Sequence, residues 1–116
     1  MDLRAGTPEE LETLLEDAFV LHNEQALPQL FGPGAMLVAG ALPVARGWRQ
    51  IARVAAQLWD ADRSYLADPR RILQARGTAL VVSGRAINVA RRGDDGFWRY
   101  AISLLDLDTA TKGDVS

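Results

Sequence analysis

The sequence predicts an α+β fold in which N-terminal helices pack into a strongly curved antiparallel or mixed sheet. Apolar residues recur at helical spacing up to about Trp59, whereas from about Tyr65 onward they alternate with a period of two. The run at 97–108 has the strongest strand character and is apolar on both sides. By strict alternation, one side carries Trp98, Tyr100, Ile102 and Leu104. Because the helices can cover only one face of the sheet, we expect a homodimer through the other face.

A capping box predicts the first helix at about 8–22. The Thr7 hydroxyl can accept a hydrogen bond from the Glu10 backbone N–H, the Glu10 carboxylate can reach back to the cap, and Pro8 suits the first helical position. Helical spacing then predicts an inward stripe of Leu11, Leu14, Leu15, Ala18 and His22. The solvent side of the helix, or its border, is assigned to Glu9, Glu12, Glu16 and Asp17.

The middle of the chain is predicted to form a short helix, a short strand and a third helix. The short helix covers 26–31 and ends at the Gly-Pro-Gly sequence of 32–34, and the strand covers 35–40. A connection at 41–47 follows. The third helix then presents an apolar face of Trp48, Ile51, Ala55, Leu58 and Trp59.

Three antiparallel strands are predicted in the second half, at 65–74, 79–92 and 97–108. The turns at 75–78 and 93–96 contain glycine and polar residues that suit positive φ angles in hairpins. Gly84 is predicted to mark a bulge or sharp bend in the long middle strand. The polar tail at 109–116 is predicted to fray, so the core of this single domain of 116 residues spans about 8–108.

Composition excludes several kinds of chemistry. With no cysteine and one histidine, the chain lacks the usual ligands for zinc and iron–sulfur centres, and we expect no metal or other cofactor. No secretory signal is recognisable, and the uncharged stretch 25–45 contains three prolines and three glycines, so we expect a cytoplasmic protein without a membrane span. Six arginines alternate with apolar strand positions and indicate a solvated sheet edge rather than a nucleic-acid site: Arg70, Arg71, Arg76, Arg85, Arg91 and Arg92.

Three segments resemble the nuclear transport factor 2-like (NTF2-like) superfamily. Residues 30–38 resemble its "leucine, phenylalanine, loop, alanine, hydrophobic strand" segment, 46–51 its helix-opening motif, and 94–100 its final hairpin. The resemblance covers most of the chain from about Leu11 to Leu105. The closest group is the SnoaL-like and ketosteroid-isomerase-like group of small bacterial proteins, most without an assigned reaction. The resemblance implies a cone-shaped cystatin-like fold, in which helices close over a bent sheet.

The same resemblance implies that the isomerase machinery is missing. The catalytic base would fall at Ala39 or its neighbours, the oxyanion tyrosine at Ala18 or Phe19, and the pocket acid nearest Ser103. Alanine and phenylalanine cannot replace the carboxylate base and the tyrosine that ketosteroid isomerase requires, and serine is a weaker donor than the pocket acid.

Seven residues are left as site candidates. His22, on the inward stripe, is either an acid–base group or a buried or rim histidine that donates to a backbone carbonyl. Asn88 and Ser103, on neighbouring strands, either hold a ligand carbonyl or satisfy each other. The aromatic residues that could line an apolar pocket, or simply form core, are Trp48, Trp59, Tyr65 and Tyr100.

Three functions therefore stay open. The first is binding of a small apolar molecule in the cone cavity without catalysis. The second is a cyclase- or isomerase-type reaction on an apolar carbonyl compound, with His22 as acid or base. The third is a dimerisation module whose cavity is filled by side chains.

Overall fold

The computed structural model describes residues 4–106, which form three α-helices and a six-stranded mixed sheet. This confirms the predicted α+β class. The tail at 109–116 and the last predicted strand residues, 107–108, lie outside the described residues. The elements in chain order are α1 (Pro8–Leu21), a 3₁₀ turn (Glu24–Ala26), α2 (Leu27–Leu30), β1 (Phe31–Ala39), β2 (Ala45–Arg46), α3 (Gly47–Asp60), β3 (Pro69–Ala75), β4 (Thr78–Ser83), β5 (Ala86–Arg92) and β6 (Trp98–Leu105).

Helix α1 begins where the capping residues predict. Thr7 Oγ1 accepts a hydrogen bond from the Glu10 backbone N–H at 3.0 Å. The Glu10 carboxylate accepts from the Gly6 N–H at 2.6 Å, one residue before the cap, rather than from the cap itself. The helix ends at His22, whose φ of 52° takes the chain out of the helical path.

The strands lie in the order β2-β1-β6-β5-β4-β3. Strand β1 pairs in parallel with β6, and every other pair is antiparallel. The turn between β3 and β4 has positive φ at Arg76 (51°) and Gly77 (76°), as predicted. In the turn between β5 and β6, Gly96 has a φ of 85°, and Asp95 accepts two hydrogen bonds from the Arg99 guanidinium. That guanidinium lowers the pKa of Asp95 to about 2.

Several predicted strand boundaries are wrong. The strand predicted at 65–74 begins at Pro69. The long strand predicted at 79–92 is a hairpin, because β4 and β5 pair with each other and Gly84 lies in the turn between them. The first strand begins at Phe31 rather than at Ala35. The register of β1 against β6 shifts at residues 32–35, which lie between the pairs Phe31–Tyr100 and Met36–Ile102.

A bulge at Ala101 changes which side chains of β6 face the helices. Its neighbour β5 pairs Ala90 with Tyr100 but Val89 with Ile102, so Ala101 is the extra residue. Tyr100 and Ser103 consequently both face inward, and both are fully buried. The predicted strict alternation, which places Tyr100, Ile102 and Leu104 on one side, is therefore wrong beyond Tyr100.

The outer face of the sheet carries two rows of apolar side chains that no element of the described chain covers. Strand pairing aligns the first row across the sheet from β3 to β1. The second row runs beside it from β4 to β1. At their centre, Ile87, Ile102 and Leu104 are 44%, 40% and 43% exposed. The full rows are Leu73, Leu80, Val89, Ile102 and Met36, and then Val82, Ile87, Leu104 and Val38.

We propose that a second copy of the chain covers this face, because a contiguous apolar surface of this kind is costly in water. Replacing Leu104 by Glu should convert a dimer into a monomer in sedimentation velocity at micromolar concentration, since the charge would be buried without a partner. The control is Leu21→Glu, at a residue that is 66% exposed at the end of α1, and it should leave the dimer intact. A wild-type protein that sediments as a monomer contradicts the proposal.

Candidate functional site

Glu12 is a fully buried carboxylate at the centre of the inner face of α1. The prediction that it lies on the solvent side or border of the helix is wrong, because it is 1% exposed. The buried positions of α1 are Pro8, Leu11, Glu12, Leu15, Ala18 and Phe19. Glu12 has the helical spacing of this stripe, so the sequence did contain the signal. Glutamate is almost never fully buried unless it is paired, so its residue type gives no hint of this position.

Three side chains from distant parts of the chain donate hydrogen bonds to Glu12. The Tyr65 hydroxyl donates to Oε1 at 2.5 Å, and the Tyr100 hydroxyl donates to Oε2 at 2.5 Å. The Asn88 amide donates to Oε2 at 3.0 Å and also to the Tyr65 hydroxyl oxygen at 3.2 Å. We call these four residues the Glu12 cluster; none is more than 1% exposed.

The donors match an ionised carboxylate, which only accepts hydrogen bonds. A buried carboxylate is costly unless such bonds replace its water. Among the described residues, no arginine or lysine forms an ion pair with Glu12. The buried Glu12 carboxylate is therefore stabilised by the hydrogen bonds from Tyr65, Tyr100 and Asn88.

Both tyrosines are kept protonated. Burial raises the pKa of Tyr65 far above its ordinary value of 10.0, and the charge of Glu12 and the hydrogen bond to it raise it further. Burial, followed by the charge of Glu12, likewise raises the pKa of Tyr100 well above 10.0. Each hydroxyl is thus a stable donor to the carboxylate and a weak acid.

A surface pocket of about 680 Å³ adjoins the Glu12 cluster through Tyr65. Tyr65 lines this pocket, while its hydroxyl reaches inward to Glu12. We call this space the Tyr65 pocket. Its other lining residues come from α1, the segment after α3, the start of β3 and the β4–β5 turn: Glu16, Ser64, Leu66, Ala67, Asp68, Arg70, Ser83, Gly84, Arg85 and Ala86.

Charged side chains lie around the Tyr65 pocket. Arg70 Nε and Asp68 Oδ2 are 3.4 Å apart and form an exposed ion pair. Gly84 makes room for this pair, because a Cβ there would lie 3.0 Å from the Arg70 guanidinium. The Glu16 carboxylate accepts a hydrogen bond from the Ala67 N–H at 3.0 Å. Arg85 forms no ion pair with any described residue.

The structure brings together three of the predicted site residues and places Ser103 beside them. Tyr65, Asn88 and Tyr100 surround Glu12, and Ser103 lies opposite Asn88 on the adjacent strand. Only Tyr65 of this group lines the Tyr65 pocket. Asn88 and Ser103 do not bond to each other, so they do not satisfy each other's hydrogen bonds.

Two predicted site residues lie on the surface instead. His22 was expected to face inward, but it is exposed and its ring stacks on Trp59 with the ring centres 5.0 Å apart. Trp48 was expected in the apolar face of α3, but it is 42% exposed and has Arg49 over its ring. Trp59 is buried as core, with its ring edge to face against Phe19.

Comparison with known proteins supports the fold. No known family profile matches the sequence, and no curated protein is significantly similar to it. Solved structures, however, match with high probability. They include a ketosteroid isomerase-like protein from Erwinia carotovora atroseptica, at 16% identity and a TM-score of 0.68 over 84% of this chain and 91% of that chain.

Another match is an NTF2-like protein with a cystatin-like fold from Novosphingobium aromaticivorans, at 18% identity and a TM-score of 0.66 over 92% of this chain and 84% of that chain. The fold is the cystatin-like cone of NTF2-like proteins. A candidate dehydratase of the NTF2-like family from Streptomyces avermitilis also matches, at 21% identity and a TM-score of 0.63 over 84% of this chain and 90% of that chain. At these identities the likeness extends to the fold and not to an activity.

Two further observations concern residues 4–106. None of their histidine, aspartate or glutamate side chains form a group of three or more placed to hold a metal ion. No helix in this part of the chain is both long and apolar enough to cross a membrane.

We expect Glu12→Ala to destabilise the protein by roughly 3–5 kcal/mol, because it leaves three buried donors without their acceptor. Urea unfolding followed by circular dichroism measures this loss. Glu16→Ala is the matched control one turn later on α1. It removes one partly buried hydrogen bond and should cost about 1 kcal/mol or less. Equal losses in the two variants would contradict a special role for Glu12.

The two tyrosines of the chain both belong to the Glu12 cluster, so absorbance at 295 nm in alkali reports on the cluster directly. Because folding raises both pKa values, the folded protein should form no tyrosinate near pH 10. The tyrosines of the unfolded chain do ionise near pH 10. The free energy of unfolding should therefore keep its full value below about pH 10 and fall as the pH rises further. Glu12→Gln should shift the titration toward pH 10, and a wild-type transition near pH 10 without unfolding would contradict the geometry.

Proposed function

We propose that this NTF2-like protein binds one small organic molecule in the Tyr65 pocket and does not transform it. The observation that carries the proposal is the pocket itself. Its volume of about 680 Å³ lies within the common range of ligand sites, about 300–1,000 Å³. The Glu12 cluster fixes its inner wall by holding Tyr65. A rigid wall lowers the entropy cost of binding.

The lining favours a ligand with an apolar body and a polar group at the rim. Leu66, Ala67 and Ala86 supply apolar contact area, while Arg85 supplies a cation with no described ion-pair partner. This refines the apolar ligand expected from the sequence, because polar and charged groups make up much of the pocket wall.

The electrostatics of the pocket favour binding over catalysis. Tyr65 is the member of the Glu12 cluster that lines the pocket, and its raised pKa makes it a poor proton donor near neutral pH. Glu12 is shielded behind it. The positions that the family resemblance gives to the base and the oxyanion donor are buried apolar side chains: Ala18, Phe19 and Ala39.

The second candidate is a cyclase- or isomerase-type enzyme acting on an apolar carbonyl compound. The contact between the buried Glu12 carboxylate and Tyr65 favours it, because this pair could pass a proton toward the pocket. Since His22 lies on the surface, the acid–base role expected of it would then belong to Glu12 and Tyr65.

We also propose a cytoplasmic location, with which a chain that has no cysteine is compatible. The bias toward arginine over lysine, with Lys112 the single lysine, is typical of a GC-rich bacterial genome.

Blocking the Tyr65 pocket should weaken binding. Anilinonaphthalene sulfonate, an apolar fluorophore with one anionic group, is a suitable probe alongside a fragment library screened by thermal shift. Ala67→Trp should weaken binding by about tenfold or more, because the indole occupies the pocket. Ala41→Trp is the control, at an exposed residue that does not line the pocket. If both variants bind the probe as the wild type does, the pocket is not the site.

Glu12→Gln separates the two candidate functions once a ligand is known. A binding protein should keep its affinity within a few fold, because the amide still fills the site and accepts at least one hydrogen bond. An enzyme that uses Glu12 should lose on the order of 10²-fold or more in kcat. A large kcat loss at unchanged ligand affinity would refute binding without catalysis.

A further inference from the structure

The amide of Asn88 has a fixed orientation inside the Glu12 cluster. Its two N–H groups donate to Glu12 Oε2 at 3.0 Å and to the Tyr65 oxygen at 3.2 Å. Turning the amide over would place its oxygen against the carboxylate, which is repulsive. Asn88 Oδ1 therefore points away from Glu12, and it is a buried acceptor that receives no hydrogen bond from any described residue.

A second buried polar atom without a partner lies on the neighbouring strand. Ser103 is directly opposite Asn88 in the pairing of β5 with β6, and both residues are 0% exposed. Directly opposite side chains on one face of an antiparallel pair lie close together. Like Asn88 Oδ1, Ser103 Oγ has no hydrogen-bond partner among the described residues. Buried polar atoms of this kind are uncommon, and each needs a partner.

The inner-face neighbours of Asn88 on β5 and β4 are three alanines and Val81, which pairs directly with Asn88. On the inner face of β5, Asn88 lies between Ala86 and Ala90, two residues away on either side. On the next strand, Ala79 pairs with Ala90. All three alanines are buried. Methyl groups at these three positions occupy less of the space above the sheet than larger side chains would.

We infer that Asn88 and Ser103 hold one internal water molecule between β5 and β6. The water donates one hydrogen bond to Asn88 Oδ1. It forms a second hydrogen bond with Ser103 Oγ, which can act as donor or acceptor. Because both residues have no exposed surface, an organic ligand cannot reach them, and we assign the missing partner to water. The hydrogen-bond network then runs from Glu12 through Asn88 and the water to Ser103.

A crystal structure of the unmodified protein at high resolution is the first test. It should show a solvent peak within about 3 Å of both Asn88 Oδ1 and Ser103 Oγ. A direct hydrogen bond between the two side chains, or no peak beside them, would overturn the inference.

Oxygen-17 relaxation dispersion in solution is the second test, because it counts long-lived internal water molecules. Ser103→Val replaces the hydroxyl by methyl groups that fill the site, so the signal should fall by the contribution of one water. Ser64→Val is the control at an exposed serine and should leave the signal unchanged. An unchanged signal in Ser103→Val would overturn the inference.

Ser103→Ala covers the case in which the valine variant does not fold. It removes one partner and keeps the space, so a crystal structure should retain the solvent peak on Asn88 Oδ1. Reorientation of the Asn88 amide away from Glu12, with no solvent beside it, would also overturn the inference.

Discussion

The hydrogen bonds to the Glu12 carboxylate determine how the helices sit on the sheet. Glu12 belongs to α1, Tyr65 to the segment after α3, Asn88 to β5 and Tyr100 to β6. Apolar packing alone tolerates small shifts of a helix along a sheet, whereas three bonds to one carboxylate do not. The cluster thus ties four parts of the chain to one position.

Local irregularities of the backbone make that arrangement possible. With regular alternation along β6, Tyr100 and Ser103 would lie on opposite faces of the sheet. The extra residue at Ala101 brings both inward and turns Ile102 and Leu104 outward. One inserted residue therefore supplies a polar inner row and an apolar outer face at the same time.

Much of the fold could be predicted from local sequence signals. The start of α1, the turn at Arg76 and Gly77, and the order of helices and strands all depend on short-range patterns. The site depends on contacts across 53 to 88 residues, which no local pattern specifies. His22 shows the limit of helical phase: it follows the stripe by spacing, but its left-handed φ of 52° directs the ring elsewhere. Trp48 keeps the phase of its helix and is still exposed, because it lies in the first turn.

The long sequence separations within the Glu12 cluster also determine when the fold can be completed during synthesis. Glu12 leaves the ribosome early, but its partner Tyr100 is made 88 residues later. Until then one of the three donors to the carboxylate is missing, so burying the inner face of α1 costs more than it does in the complete fold. Docking of this helix and closure of the sheet become a single late event, which depends on the last described strand.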